Sequence, residues 1–478
     1  MHFVFLILLA MTALLLMRRA RKSVRAPWMT LFFGVLFGLL IAHQALWQLH
    51  GAGSVAFQKF RRRFDVRPDT VRANTEDRGR LLARDGSLLA EALPGKRWGH
   101  TTPLGPAGLH AVGYSSREYG LSGLERVFDT RLCGFDAPKS ARDILKRSRP
   151  QDVRTSLMPA LQKVAFEALA GRRGAVVALD PRNGDILALV SSPSCTEEEL
   201  PAAMRNRSEA PLFNRATHGL YPPGSVFKPF TAALVYLLGK EADRYTCPPS
   251  GWVHAPYTKP VRDTHPFDDT HAVSLREAFE RSSNIWFAKA ARAIGWSAFK
   301  QTAEHAGLME PLELARCGER TYATVAGRLP DLSNRPNQMV YLGFGQGDLR
   351  LTPMHVAAMT AAIANGGKLA QPRFDLSEPV RTRRIWSAKT ADAVAGLMRA
   401  SVLRGTSRGI ALPGLAVCGK TGTAENAGKD HAWFTCFAPQ EKPRIVVTVL
   451  VENAGYGAAA ALPVAKKMLE AWRSAAAQ

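Results

Sequence analysis

Metal-binding signatures are missing from this sequence. Its six cysteines (Cys133, Cys195, Cys247, Cys317, Cys418 and Cys436) form no C-x-x-C pair, and no H-E-x-x-H occurs, which argues against a zinc site. An even cysteine count in an exported chain permits disulfides; scattered core thiols are the alternative. Acidic residues are also scarce, 40 Asp and Glu against 63 Lys and Arg in 478 residues, a formal net charge of +23. No nucleic-acid-binding motif accompanies that charge, so nucleic acid is not an expected partner. The excess is uneven: residues 1–75 carry eleven Lys/Arg and two Asp/Glu. Those charges flank apolar runs, the pattern of membrane topology, and the rest attract anionic partners in general. With 46% hydrophobic and 22% charged residues the chain is folded, and its length holds two or three domains with one large core among them.

Long apolar runs are confined to the N-terminus. Residues 2–17 (HFVFLILLAMTALLLM) fall slightly short of the usual span of about 20 residues, whereas 28–49, bounded by Trp28 and Trp47, reach it. Between them RRARKSVR carries five positive charges, which keeps it cytoplasmic and sends the chain after residue 49 outside. A second basic cluster, Lys59 and Arg61–Arg63, lies on that outer side. The first run lacks a positive n-region and a small-residue cleavage site, so it is not a signal peptide. It reads as a short first span or as an upstream extension before a start at Met17 or Met29. We therefore expect a membrane anchor over 1–55 of one or two segments, 2–17 and 28–49.

Residues 56–155 read as a small mixed module, with a hairpin over 77–93 turning at Asp85-Gly86 and a glycine-rich loop, 119–125, leading into a short helix. From residue 156 onward the pattern is α+β. A helix over 158–170 precedes a buried hairpin, GAVVALD and DILALVSS. Helical segments follow, among them 274–295 and the Ala-rich 352–367. Three strands close the domain, AVCGKTGTAE, HAWFTCFAP and RIVVTVLVEN, with a final helix to cover them. The order predicts one antiparallel sheet packed by helices over 156–478.

Three motifs carry the chemistry, and each is ordinary in isolation. In YPPGSVFKPF a Pro-Pro-Gly turn delivers Ser225 to the start of a helix with Lys228 three residues on, so both share a face. A partly desolvated lysine can take the proton that makes a serine hydroxyl nucleophilic. Ser282-Ser283-Asn284 gives S-x-N and Lys420-Thr421-Gly422-Thr423 gives K-T-G-T, the latter on a predicted strand. In order, the trio is that of active-site serine enzymes that open amides of D-alanine type. Ser282 can relay a proton to the leaving amine, and Asn284 can orient a substrate amide. Lys420 adds positive potential and attracts a carboxylate, which the Thr421 and Thr423 hydroxyls can bind. Gly422 lets substrate approach an edge strand. Backbone N–H groups of Ser225 and Thr423 would form an oxyanion hole, each such donor worth on the order of 3 kcal/mol. This chemistry calls for no metal and no cofactor.

Beyond the trio, the segments DRGRLLARDGSLLAEAL, YGLSGLE, GRRGAVVALDPRNGDILALVSSPS, LGFGQGDLRLTPMHVAAMTAAIANGG and HAWFTCFAP resemble a class B penicillin-binding protein, a membrane-anchored peptidoglycan D,D-transpeptidase. The resemblance covers roughly residues 77–470 and implies the transpeptidase, or serine β-lactamase-like, fold with a short pedestal over 56–155. It implies acylation of Ser225 by the penultimate D-Ala of a stem pentapeptide, transfer to a neighbouring stem on lipid-linked nascent glycan, and trapping by β-lactams. It places the catalytic domain on the periplasmic or extracellular side of the bacterial inner membrane, beside a SEDS-type glycosyltransferase partner. A D,D-carboxypeptidase, or a non-catalytic scaffold or sensor that binds β-lactams, is the alternative. The chain departs from the family at Cys436, where glycine is common.

Overall fold

The structure is a computed structural model that describes residues 34–42, 78–93, 98–134, 149–256, 258–268, 271–332, 335–426 and 428–476. The chain divides into two units, 1–68 and 69–478. In the first, the described residues form a helix on which Val35, Phe37, Leu39 and Leu40 are exposed. Among the described residues no helix is long and apolar enough to cross a membrane. The spans expected over 2–17 and 28–49 lie outside the described residues apart from 34–42.

The second unit is organised by a five-stranded antiparallel sheet. Its strands are β1 (Gly174–Leu179), β2 (Ile186–Ser192), β3 (Cys418–Ala424), β4 (His431–Ala438) and β5 (Ile445–Val451), in spatial order β3-β4-β5-β1-β2. All five are almost wholly buried, because helices cover both faces, and this is why they read as near-continuous apolar runs. Val176, Ala178, Phe434, Cys436, Val447 and Val449 point into one layer; Ala175, Val177, Trp433, Phe437 and Leu450 point into the other.

The helices that frame the sheet are α1 (Pro159–Leu169), α2 (Lys228–Leu237), α3 (Leu275–Arg281), α4 (Asn284–Ile294), α5 (Pro353–Ala364), α6 (Ala388–Arg404) and α7 (Leu462–Ala476). α1 and α7 pack on the first layer, the remaining five in the second. Every residue of α5 is buried, as expected of a helix apolar all round. A chain of buried hydroxyls ties it to the sheet, Thr360 to Thr435 (2.9 Å) to Thr448 (2.8 Å). The helical stretch expected over 274–295 is interrupted, with consequences for the site.

The small module forms a four-stranded sheet, ordered His100–Thr101, Leu88–Ala92, Leu81–Leu82, Val153–Arg154. Its first hairpin turns where Asp85 Oδ1 accepts from the Ser87 N–H (2.9 Å) and hydroxyl (2.6 Å). Leu81, Leu89, Leu124 and Phe128 belong to the same apolar cluster as Val177 and Phe230. Buried charges also tie it to segments of the larger domain, at Arg320 and Glu197. Arg78 pairs with Glu125 and Asp129, the latter at 2.8 Å, and Asp129 also receives Arg320 at 3.0 Å. His100 stands between Glu125 (3.5 Å) and Glu197 (3.7 Å). All six cysteines are free thiols, which decides between the two readings of their even count.

Candidate active site

Four tethers fix the turn that carries Ser225. Tyr221 exchanges backbone hydrogen bonds with Leu351 (3.0 and 2.9 Å), and the Pro222 carbonyl accepts from Trp433 Nε1 (3.0 Å). The Gly224 N–H donates to Gly345 O (2.8 Å) at φ +57°. A Cβ at position 224 would lie 2.5 Å from Thr423 O, so only glycine lets the turn meet β3 this closely. Ser225 itself is on a 3₁₀ turn, Gly224–Phe227, and Lys228 begins α2. The expected shared face is kept by a different route, since residues i and i+3 eclipse one another in a 3₁₀ turn. Among the described residues no hydrogen bond engages the Ser225 hydroxyl.

Lys228, Ser282, Asn284 and Lys420 converge because 274–295 is not one helix. α3 ends at Ser282 with φ +59°, a left-handed conformation uncommon for serine, and Ser283 restarts the chain by capping α4. The break turns both oxygens of Ser282 toward the lysines. Lys228 Nζ donates to Ser282 O (2.7 Å), Ser282 Oγ (3.1 Å) and Asn284 Oδ1 (2.9 Å). Lys420 Nζ donates to the same Ser282 Oγ (2.8 Å) and to Thr421 O (3.0 Å).

Neither lysine touches solvent. Burial holds the Lys420 ammonium down to about 7. Burial and the charge of Lys420 push Lys228 well below the ordinary lysine range, with Asp263 acting in the opposite sense. Two ammoniums crowded on one hydroxyl repel, so burial and the charge of Lys420 together favour the free-amine form of Lys228, in which its contact with Ser282 Oγ is accepted by the amine lone pair and not donated. A free amine beside a serine can accept a proton, and the Ser282 hydroxyl links it to a second donor.

β3 is the edge strand that completes the cleft. Lys420 and Gly422 face the helical layer. Gly422 has a packing reason beside the one expected: a Cβ there would meet Val226 Cγ1 at 2.8 Å and Trp433 Cβ at 3.0 Å. The glycine lets the strand close on the residue after Ser225, which is a packing requirement before it is room for substrate. The Thr421 hydroxyl is bonded to Thr406 (2.7 Å), and Thr423, on the same side of the strand, is half-buried. Cys436 lies on β4 opposite Gly419, but its thiol enters the layer beneath α7, on the face away from Lys420.

Two groups of residues behind these motifs carry no spacing signal. Asp263 accepts from Ser283 Oγ (2.7 Å), the Asn284 N–H (2.5 Å) and the Ile285 N–H (2.9 Å). Glu452 accepts from Tyr221 OH (2.7 Å), Arg215 Nε (2.9 Å) and Arg173 Nε (2.9 Å), steadying the approach to Ser225. Asp263 is one acidic residue in a loop and Glu452 the end of a strand, and only folding brings them to the site.

A serine on a tightly tethered turn, a buried lysine pair bridged by a second serine, and an edge strand beside them define a serine acyl-transfer enzyme. The comparisons make the class specific. A model of the penicillin-binding protein transpeptidase domain matches residues 174–470. Peptidoglycan D,D-transpeptidase PbpA of Mycobacterium tuberculosis is 32% identical over 413 residues, covering 75% of this chain and 81% of that protein. MrdA of Acinetobacter baumannii, also named a peptidoglycan D,D-transpeptidase, is 32% identical over 411 residues, 74% of this chain and 60% of that one. Among solved structures, penicillin-binding protein A of M. tuberculosis as a ceftriaxone acyl-enzyme superposes with a TM-score of 0.75 at 29% identity, covering 83% of this chain and 98% of that chain. PBP2 of Pseudomonas aeruginosa in complex with WCK 5153 gives 0.71 at 30%, covering 83% and 96%. The chain belongs to the penicillin-binding protein transpeptidase family.

Proposed function

We infer that the chain crosslinks peptidoglycan as a serine-type D,D-transpeptidase and binds β-lactams, with Ser225 as its nucleophile. Neutral Lys228 takes the Ser225 proton as Oγ bonds to the carbonyl carbon of the penultimate D-Ala. The N–H groups of Ser225 and Thr423 receive the developing oxyanion. The C–N bond then breaks, and the departing D-Ala amine collects a proton through Ser282, which Lys228 and Lys420 both serve. An acceptor-stem amine next attacks the ester and gives its proton back along the same path, restoring Ser225 and forming the new amide. Asn284 holds Lys228 and orients the donor amide; Lys420, Thr421 and Thr423 attract the terminal carboxylate, and Gly422 keeps β3 close. The observation that carries this reading is the convergence of both buried lysines on one hydroxyl, behind the Ser225 turn. The test is a donor pentapeptide supplied with and without an acceptor amine. The reading expects D-Ala release with a crosslinked product; release with hydrolysed product alone would make the enzyme a carboxypeptidase.

The finer assignments rest on the sequence. One or two segments, 2–17 and 28–49, anchor the chain in the cytoplasmic membrane, with residues 56–155 as pedestal and 156–478 as transpeptidase domain outside it. The basic octet and the apolar surface of the helix over 34–42 support this. The family resemblance supports a SEDS-type glycosyltransferase as the partner that supplies lipid-linked nascent glycan. Failure of the two to co-purify from membranes, with polymerase activity unaltered on mixing, would remove that partner.

A further inference from the structure

We propose that Asp263 is a positioning residue for acyl transfer, which fixes Asn284 and, through it, the Lys228 amine. The proposal rests on the reading of Lys228 as the base that activates Ser225. Its ground is geometric. One carboxylate oxygen of Asp263 accepts from two consecutive backbone N–H groups, those of Asn284 and Ile285, and the other from Ser283 Oγ. All three donors belong to the S-x-N segment and the first turn of α4. Helix starts leave such N–H groups unsatisfied, and a carboxylate there also answers the positive end of the helix dipole. The Ser283 hydroxyl is held between Asp263 and the Trp286 N–H (3.0 Å), which fixes the backbone on either side of it. The Asn284 side chain is fixed at both ends, Oδ1 by Lys228 and Nδ2 on the Arg262 carbonyl (3.0 Å). Arg262 is the neighbour of Asp263, so this loop grips Asn284 twice.

The charged groups that act on Lys228 are Lys420 on β3 and Asp263 on this loop; Ser282 and Asn284 face it as neutral partners, and the Phe287 ring lies 5.5 Å away. Around Asp263 stand Ser283, the Cys247 thiol beyond it (3.6 Å from Ser283 Oγ) and, past that, Lys289. Lys420 lowers the proton affinity of Lys228 and Asp263 raises it, so the base is set by two opposed charges. A helix cap alone would hold Asn284 but leave the titration of Lys228 untouched. That difference makes the proposal testable.

The experiment is the pH profile of acylation by a fluorescent penicillin on the full chain, for wild type, Asp263→Asn, Asp263→Ser and Asp263→Glu, with Lys228→Ala beside them. Both neutral variants should move the acid limb to lower pH, by roughly one unit, because the Lys228 ammonium loses a stabilising charge. Asp263→Glu should keep the wild-type limb even where its rate falls. A limb unmoved in a folded neutral variant, with Lys228→Ala unreactive, would overturn the proposal and leave Asp263 a cap. Unfolding of both neutral variants while Asp263→Glu folds would overturn it equally. If Lys228→Ala kept the wild-type rate and profile, the failure would instead be that of Lys228 as base.

Discussion

Replacing Lys420 by methionine tests the lysine pair directly. Both Nζ atoms are held on Ser282 Oγ, at 3.1 and 2.8 Å, so they lie within about 6 Å of each other. At that separation and an effective dielectric of about 20, two unit charges repel by about 3 kcal/mol, equivalent to about 2 pH units. The positive charge of Lys420 disfavours protonation of Lys228; removing it raises the proton affinity of Lys228. The free amine is then reached only at higher pH, and the acid limb of acylation moves upward. Lys420 is held at about 7, so below neutrality it carries the charge that acts on Lys228. We expect a shift of roughly one to two units in Lys420→Met and a much smaller one in Lys420→Arg. The assay is the second-order rate of acylation by a fluorescent penicillin, between about pH 5 and 9.5. A uniform loss of rate at every pH, with the limb in place, would refute the reasoning and reduce Lys420 to a carboxylate anchor.

Three further outcomes follow from the packing. Gly422→Ala puts a methyl 2.8 Å from Val226 Cγ1 and 3.1 Å from Val226 N; a loss of about 1–3 kcal/mol in urea titration and a fall in acylation above about tenfold are expected. Glu452→Gln leaves Arg215, 1% exposed, without its charge partner, at a cost of about 3–5 kcal/mol by the same titration. In the small module, burial alone would raise the Glu125 carboxyl, but Arg78 and His100 overcome it and hold it near 2. Its stabilisation is complete above the ordinary value of 4.5 and is lost as pH falls through about 2, on the order of 3 kcal/mol in all. Glu125→Gln should therefore flatten the acid side of a plot of unfolding free energy against pH.

The sheet was legible in the sequence because its five strands are buried on both faces and bounded by turns, so they appear as short apolar runs of the right length. The small hairpin was legible through Asp85-Gly86. The site was legible as three motifs, because the chemistry demands particular side chains at particular spacings. What escaped is what spacing does not encode. Residues 274–295 have helical composition throughout, and the break at Ser282 goes with its left-handed backbone and with Asp263, which bonds Ser283 from twenty residues away in the chain. Gly422 reads as room for substrate, and only the fold shows that its missing Cβ also lets the strand close on Val226. Cys436 stands where the family commonly has glycine, on the strand beside K-T-G-T, and only its alternation on β4 turns it into the opposite layer. Glu452 and Arg215 are charged residues with no local signature, and their meaning comes only from the fold that buries them together.

The most direct measurement is intact mass after exposure to a fluorescent penicillin, on wild type and Ser225→Ala with folding checked for both. The account predicts one stable acyl adduct on the wild type, mapped to Ser225, and none on the mutant. An adduct that survives in Ser225→Ala, rapid turnover of the drug, or a folded wild type that takes no label at all would contradict it.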